Sequence, residues 1–262
     1  MSKSFLIIVE GKVTEKDIFE QVLTKYGFEV LCKDKINVEL SSFESVGLKR
    51  SELVSNKDSV IIVQGPRNRI RDLLLHYDRN QEDYDRLFND YGKSFAGVFF
   101  VYDVDHATKE ELSAMFEKYK DETSGMLLVS SPCIEVLSQP YRTEELSVEH
   151  LTEYKKQLNV AFAESDKKSA KQYIIDNFNS LILQFIDMNT RDSGLQDVMQ
   201  HPAFVVEEIN KQNTRTYVSK DVIPVKYRYF TTVVYVCIAY MLGLTKEFEN
   251  VEQVKQFFQQ YV

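Results

Sequence analysis

Three short stretches place acidic residues where chemistry can be done. "FLIIVEG" (5–11) ends an apolar run in Glu10-Gly11, and "VFFVYDVD" (98–105) ends another in Asp103-Val104-Asp105. "LLVSSPCIE" (127–135) ends a third in Ser130-Ser131-Pro132, with Glu135 one turn further on. Residues i and i+2 of an extended chain point to one side, so Asp103 and Asp105 would hold two negative charges together at the margin of a core. Like charges crowded in a partly buried place raise each other's pKa or demand a cation. Several carboxylates with open positions between them suit Mg²⁺ or Mn²⁺, which keep water ligands and take phosphate oxygens. That is the arrangement metal-assisted phosphodiester chemistry requires. Each piece alone has an ordinary reading. Aspartates at strand ends cap helices and shape turns, a glycine after a first strand is routine, and Glu135 alone reads as a surface residue. The next helix has another cap candidate, however, because Thr108-Lys109-Glu110-Glu111 fits the S/T-x-x-E capping box.

These residues must be positioned by strands and helices in alternation. Apolar runs at 4–10, 59–65, 95–102 and 125–131 read as buried strands, and "INVEL" (36–40) alternates as a further one. Between them, 13–27 has helical spacing closed by Gly27, 67–92 reads as one long helix or two, and a helix follows from about 109 to 120. Alternation of this kind predicts βαβ units and a mostly parallel sheet, whose strands read as continuous apolar runs because both faces are covered. In an open parallel sheet functional groups gather beyond the carboxyl ends of the strands, which is where Glu10, Asp103, Asp105 and Glu135 fall. From about Thr143 the pattern is helical, as in "AKQYIIDNFNSLILQFIDM" and "VEQVKQFFQQYV". The expectation is an α/β domain over residues 1–140, flanked by helices, and an all-helical domain over 141–262, with a soft boundary near 138–146.

The basic residues are less specific. Arg67, Arg69 and Arg71 open the helix that follows Gly65-Pro66, where cations oppose the macrodipole. They either neutralise the acidic cluster, contact phosphates, or form a solvated face. Lys226 and Arg228 interleave with Tyr227 and Tyr229, a combination that holds single strands by stacking, though it also suits the polar entry to an apolar helix. His76, His106, His150 and His201 lack zinc-ligand spacing, and Cys133 has no histidine partner in view. There is no GxGxxG and no GxxxxGK[ST], which sets aside dinucleotide and P-loop sites.

Composition sets the surroundings. The 262 residues carry a net charge of −8, so bulk electrostatics do not favour a polyphosphate and any nucleic acid would be held through cations or local basic clusters. Cys32, Cys133 and Cys237 are odd in number and widely spaced, which fits a reducing cytoplasm. "MSKSFLIIVEGK" has too short an apolar run for a signal peptide, and "YFTTVVYVCIAYMLGL" (229–244) is too short and too polar for a membrane span.

A glutamate-glycine pair ending the first strand and an Asp-x-Asp ending a later one resemble the Toprim domain of primases, topoisomerases, recombination proteins and OLD-family nucleases. The likeness rests on "FLIIVEGKVTE" (5–15) and "VFFVYDVD" (98–105) and covers roughly the first 140 residues. More narrowly, "VEGKVTE" with "LLVSSPCIEVL" (127–137) is similar to RloB-like abortive-infection Toprim proteins, although Ser131 stands where they often have asparagine and Ile134 where they often have an aromatic. The resemblance implies Glu10 as general acid/base or metal ligand, Asp103 and Asp105 as metal ligands, and Glu15 and Glu135 as supporting or second-metal ligands. It also implies a Mg²⁺- or Mn²⁺-dependent nuclease of phage defence, commonly paired with an ABC-type ATPase. Two other expectations stand beside it: an inactive Toprim-fold subunit that docks such an ATPase or senses a phage component, and a receiver-like phosphoacceptor at Asp103.

Overall fold

The structure, a computed structural model, describes residues 2–10, 14–33, 56–64, 95–103, 109–121, 125–130, 169–191, 237–238, 241–242 and 251–261. Contacts divide the chain into two compact units, Met1–Tyr102 with Glu110–Leu128, and Asp103–Lys109 with Val129–Val262.

The first unit is built on all but the last residues of β4 and β6 of a sheet whose strands are β1 (Ser4–Val9), β2 (Glu29–Lys33), β3 (Ser59–Gln64), β4 (Gly97–Asp103), β5 (Lys120–Asp121) and β6 (Gly125–Ser130). Their spatial order is β2-β3-β1-β4-β6-β5. Five strands run parallel, and the two-residue β5 lies antiparallel at the edge. Phe5 to Val9 are fully buried, and all of β3 and β4 is buried, as strands covered on both faces must be. The run at 36–40 lies outside the described residues. β2 was not expected: "EVLCK" is a short edge strand, partly exposed, with a charge at each end, so it lacks the apolar run that marks its neighbours. β5 is too short to leave a pattern at all.

Helix α1 (Thr14–Lys25) follows β1 and buries Glu15, Ile18, Phe19, Val22 and Leu23, one stripe at i, i+3, i+4, i+7, i+8. It ends in a Schellman motif. Gly27 takes φ = 90°, its N–H donates to the Thr24 carbonyl at 3.0 Å, and the Phe28 N–H donates to the Leu23 carbonyl at 3.1 Å. Helix α2 (Lys109–Lys118) follows β4. The two helices cover opposite faces of the sheet. Phe28, just past α1, meets Phe5 edge-on at 6.3 Å, whereas Tyr119, just past α2, packs tilted against Phe100 at 4.9 Å. Phe5 and Phe100 differ in parity across the register Phe5↔Gly97, so their side chains leave opposite faces. Handedness explains the arrangement. The crossover from β1 moves toward β2, the one from β4 moves toward β6, and right-handed crossovers in opposite directions put their helices on opposite faces.

The second unit contains α3 (Ala170–Arg191) and α4 (Val251–Gln259), which pack together. Ile174, Phe178, Leu181 and Ile182 of α3 are buried, as is Phe258 of α4. The Asn179 side-chain amide donates to the Tyr261 carbonyl at 2.8 Å, tying α3 to the turn that ends α4. Helical Cys237, Ile238, Met241 and Leu242 are also buried. Among the described residues no helix is long and apolar enough to cross a membrane.

Candidate functional site

β1 and β4 are neighbours whose onward connections part, one to each side of the sheet. In parallel α/β sheets such a topological switch point is where ligands are held beyond the carboxyl ends of the two strands. Sequence dictates what stands there. The apolar run of β1 stops at Val9 and Glu10 enters a bend, its N–H donating to the Val101 carbonyl of β4 at 3.0 Å. That bond continues the parallel ladder one residue past the strand and fixes the glutamate backbone to β4. Asp103 is the last residue of β4, two positions beyond Val101. Glu15 sits in the first turn of α1, where the helix dipole favours an anion.

All three carboxylate residues are withdrawn from solvent: Glu10 keeps 7% of its surface exposed, Glu15 6% and Asp103 6%. Acidic residues are seldom buried to this degree without partners or a metal. A fourth polar residue, Gln64, ends β3 beside Val9 with 4% exposed. Sequence reasoning passed over it. The available signal was an amide closing the β-branched run "SVIIV" before Gly65-Pro66, at the carboxyl end of a parallel strand.

Of the residues singled out from sequence, Glu10, Glu15 and Asp103 are described and lie at the carboxyl edge of the sheet. Asp105, Glu135, Arg67, Arg69, Arg71, Lys226 and Arg228 lie outside the described residues, as do His106 and Cys133. Among the described residues no three His, Cys, Asp or Glu side chains form a group that could hold a metal ion. The donor set is nevertheless hard oxygen throughout, the type that Mg²⁺ and Mn²⁺ accept, and further ligands would have to come from segments such as the one holding Asp105.

The two cysteines among the described residues are quiet. Cys32 of β2 has its thiol pushed up to about 12, first by burial and then by the charge of Glu20 and a hydrogen bond to it. Cys237 is buried, which raises its thiol well above the ordinary value. Neither is a ready nucleophile. Compared with protein-family models, curated proteins and solved structures, the chain matches none.

Proposed function

We propose that the chain is a Toprim-like, divalent-metal-dependent nuclease that hydrolyses nucleic-acid phosphodiesters. The observation that carries the proposal is the burial of Glu10, Glu15 and Asp103 at the carboxyl edge of one sheet, the first and last of them on neighbouring strands at its switch point. A divalent cation would offset the desolvation of these groups and supply polarisation of the phosphate and of the attacking water. In this reading Asp103 and Asp105 are ligands, Glu10 is a ligand or the general acid/base, and Glu15 and Glu135 support them. Arg67, Arg69, Arg71, Lys226 and Arg228 are the candidate phosphate contacts. A place in phage defence beside an ABC-type ATPase follows from the resemblance alone.

Mn²⁺ titration followed by calorimetry and thermal unfolding tests the site. A ligand that binds only the folded state stabilises it by RT ln(1 + [L]/Kd), about 2.7 kcal/mol at a hundredfold excess over Kd. Wild type should gain this stabilisation and Asp103→Asn should lose it. Glu10→Gln should retain its fold by circular dichroism and lose cleavage of DNA and RNA substrates in Mn²⁺; retained cleavage rejects the assignment. A second reading, a non-catalytic subunit that docks an ATPase, is supported by Ser131 in place of asparagine and by the net charge of −8. Absence of Mn²⁺ binding in wild type would select it.

A further inference from the structure

Among the described residues, the carboxyl edge holds a buried polar residue that the proposed chemistry does not use, Gln64. Its position relative to α1 can be worked out from register. Ile7, Ile62 and Cys32 stand side by side across β1, β3 and β2, so they share one face of the sheet. The Cys32 thiol bonds to Glu20, which places α1 over that face. Gln64 lies two residues beyond Ile62 and alternates onto the same face. Helix α1 runs back across the sheet, because its last turn leads to Phe28 at the level of Phe5, and its middle reaches Cys32 at the level of Ile7.

The levels then match. Glu15 precedes Glu20 by five residues, about 7.5 Å along a helix. Gln64 follows Ile62 by two, about 6.6 Å along a strand. Both steps point to the carboxyl edge. Glu15 also belongs to the stripe of α1 that faces the sheet, with Ile18, Phe19 and Val22, and α1 packs on β3. A buried glutamate and a buried glutamine therefore come to one level on one face. Burial of either side chain is tolerated only with hydrogen bonds, and an amide N–H to a carboxylate is the complementary pair.

We propose that Gln64 is a positioning residue whose side-chain amide donates to the Glu15 carboxylate and fixes it at the end of β3. Its bearing on function rests on the metal-site reading above, in which Glu15 supports the ligands; the pair itself does not. An alternative task for Gln64 is to accept from the first-turn N–H groups of α1, which have no acceptor within the helix. The two differ in sign. A carboxylate at position 64 would improve a helix cap and would oppose Glu15.

The test is urea unfolding of the full chain, without metal, for wild type, Gln64→Glu, Glu15→Gln and the exchange variant carrying both. The pair requires Gln64→Glu to shift the unfolding equilibrium toward the unfolded state by about tenfold or more. The exchange variant, with donor and acceptor traded, should recover most of that loss, which no general damage to packing would do. Stability of Gln64→Glu equal to or above wild type overturns the proposal, and so does an exchange variant as unstable as the two losses combined. Should Gln64→Glu not fold, a folded exchange variant supports the pair and an unfolded one rejects it. The wild-type Mn²⁺ shift is read in parallel. Its absence beside a successful exchange rejects the metal reading alone, and its presence beside a failed exchange rejects the pair alone.

Discussion

Cys32 illustrates how a side chain's neighbours decide its chemistry. It sits on an edge strand and is only partly covered, yet its thiol is pushed up to about 12 by burial and by Glu20, so at neutral pH it stays protonated. The sign follows directly. A raised folded-state value favours the neutral thiol, so the group contributes stability below about 9 that is lost as pH rises through 12. Alkylation of Cys32 at pH 8, followed by peptide mass mapping, should run at least about tenfold slower than that of a free thiol, since the thiolate is the nucleophile. Glu20→Gln should speed it. Labelling as fast as free cysteine would contradict the Glu20 contact. Residues of this kind were only partly legible beforehand. Glu10 and Asp103 announced themselves by interrupting apolar runs, whereas Gln64 and the Cys32–Glu20 pair depend on which face a residue takes, and that is fixed by strand pairing rather than by local sequence.

At the scale of elements, the strands with uninterrupted apolar runs were readable because burial on both faces confines polar residues to the ends of β1, β3 and β4. Helix α1 was readable down to its Gly27 stop, because only glycine adopts φ = 90° without strain. β2 was hidden by being half-exposed, and β5 by its length. Strand order could not be read either, since the pattern of a parallel strand does not name its neighbour. The tie between α3 and α4 was equally invisible, being a single amide reaching 82 residues along the chain to the Tyr261 carbonyl. Asn179 is buried and its replacement leaves that carbonyl unmatched, so Asn179→Ala should lower stability by about 1–3 kcal/mol in urea unfolding. A change under about 0.5 kcal/mol would mean that water satisfies the carbonyl instead.

For the whole molecule the dominant quantity is charge. With a net charge of −8, a fluorescent oligonucleotide should not bind in EDTA at physiological salt and should bind when Mn²⁺ is present. Binding without divalent ions would assign the contact to basic clusters and remove the need for a metal bridge. A different consequence follows from where β1 sits. Its Ser4 hydroxyl bonds to that of Ser59, 55 residues away, and its other neighbour, β4, is made later still. On a ribosome adding 5–20 residues per second, the centre of the sheet is therefore finished roughly 5–20 s before both of its flanks exist. Until β3 is made, 55 residues and roughly 3–11 s later, five consecutive core residues, Phe5 to Val9, have no neighbouring strand to pair with. Among the described segments, the strand that holds the candidate site together thus waits longest for its partners and gives a chaperone the longest opportunity to bind.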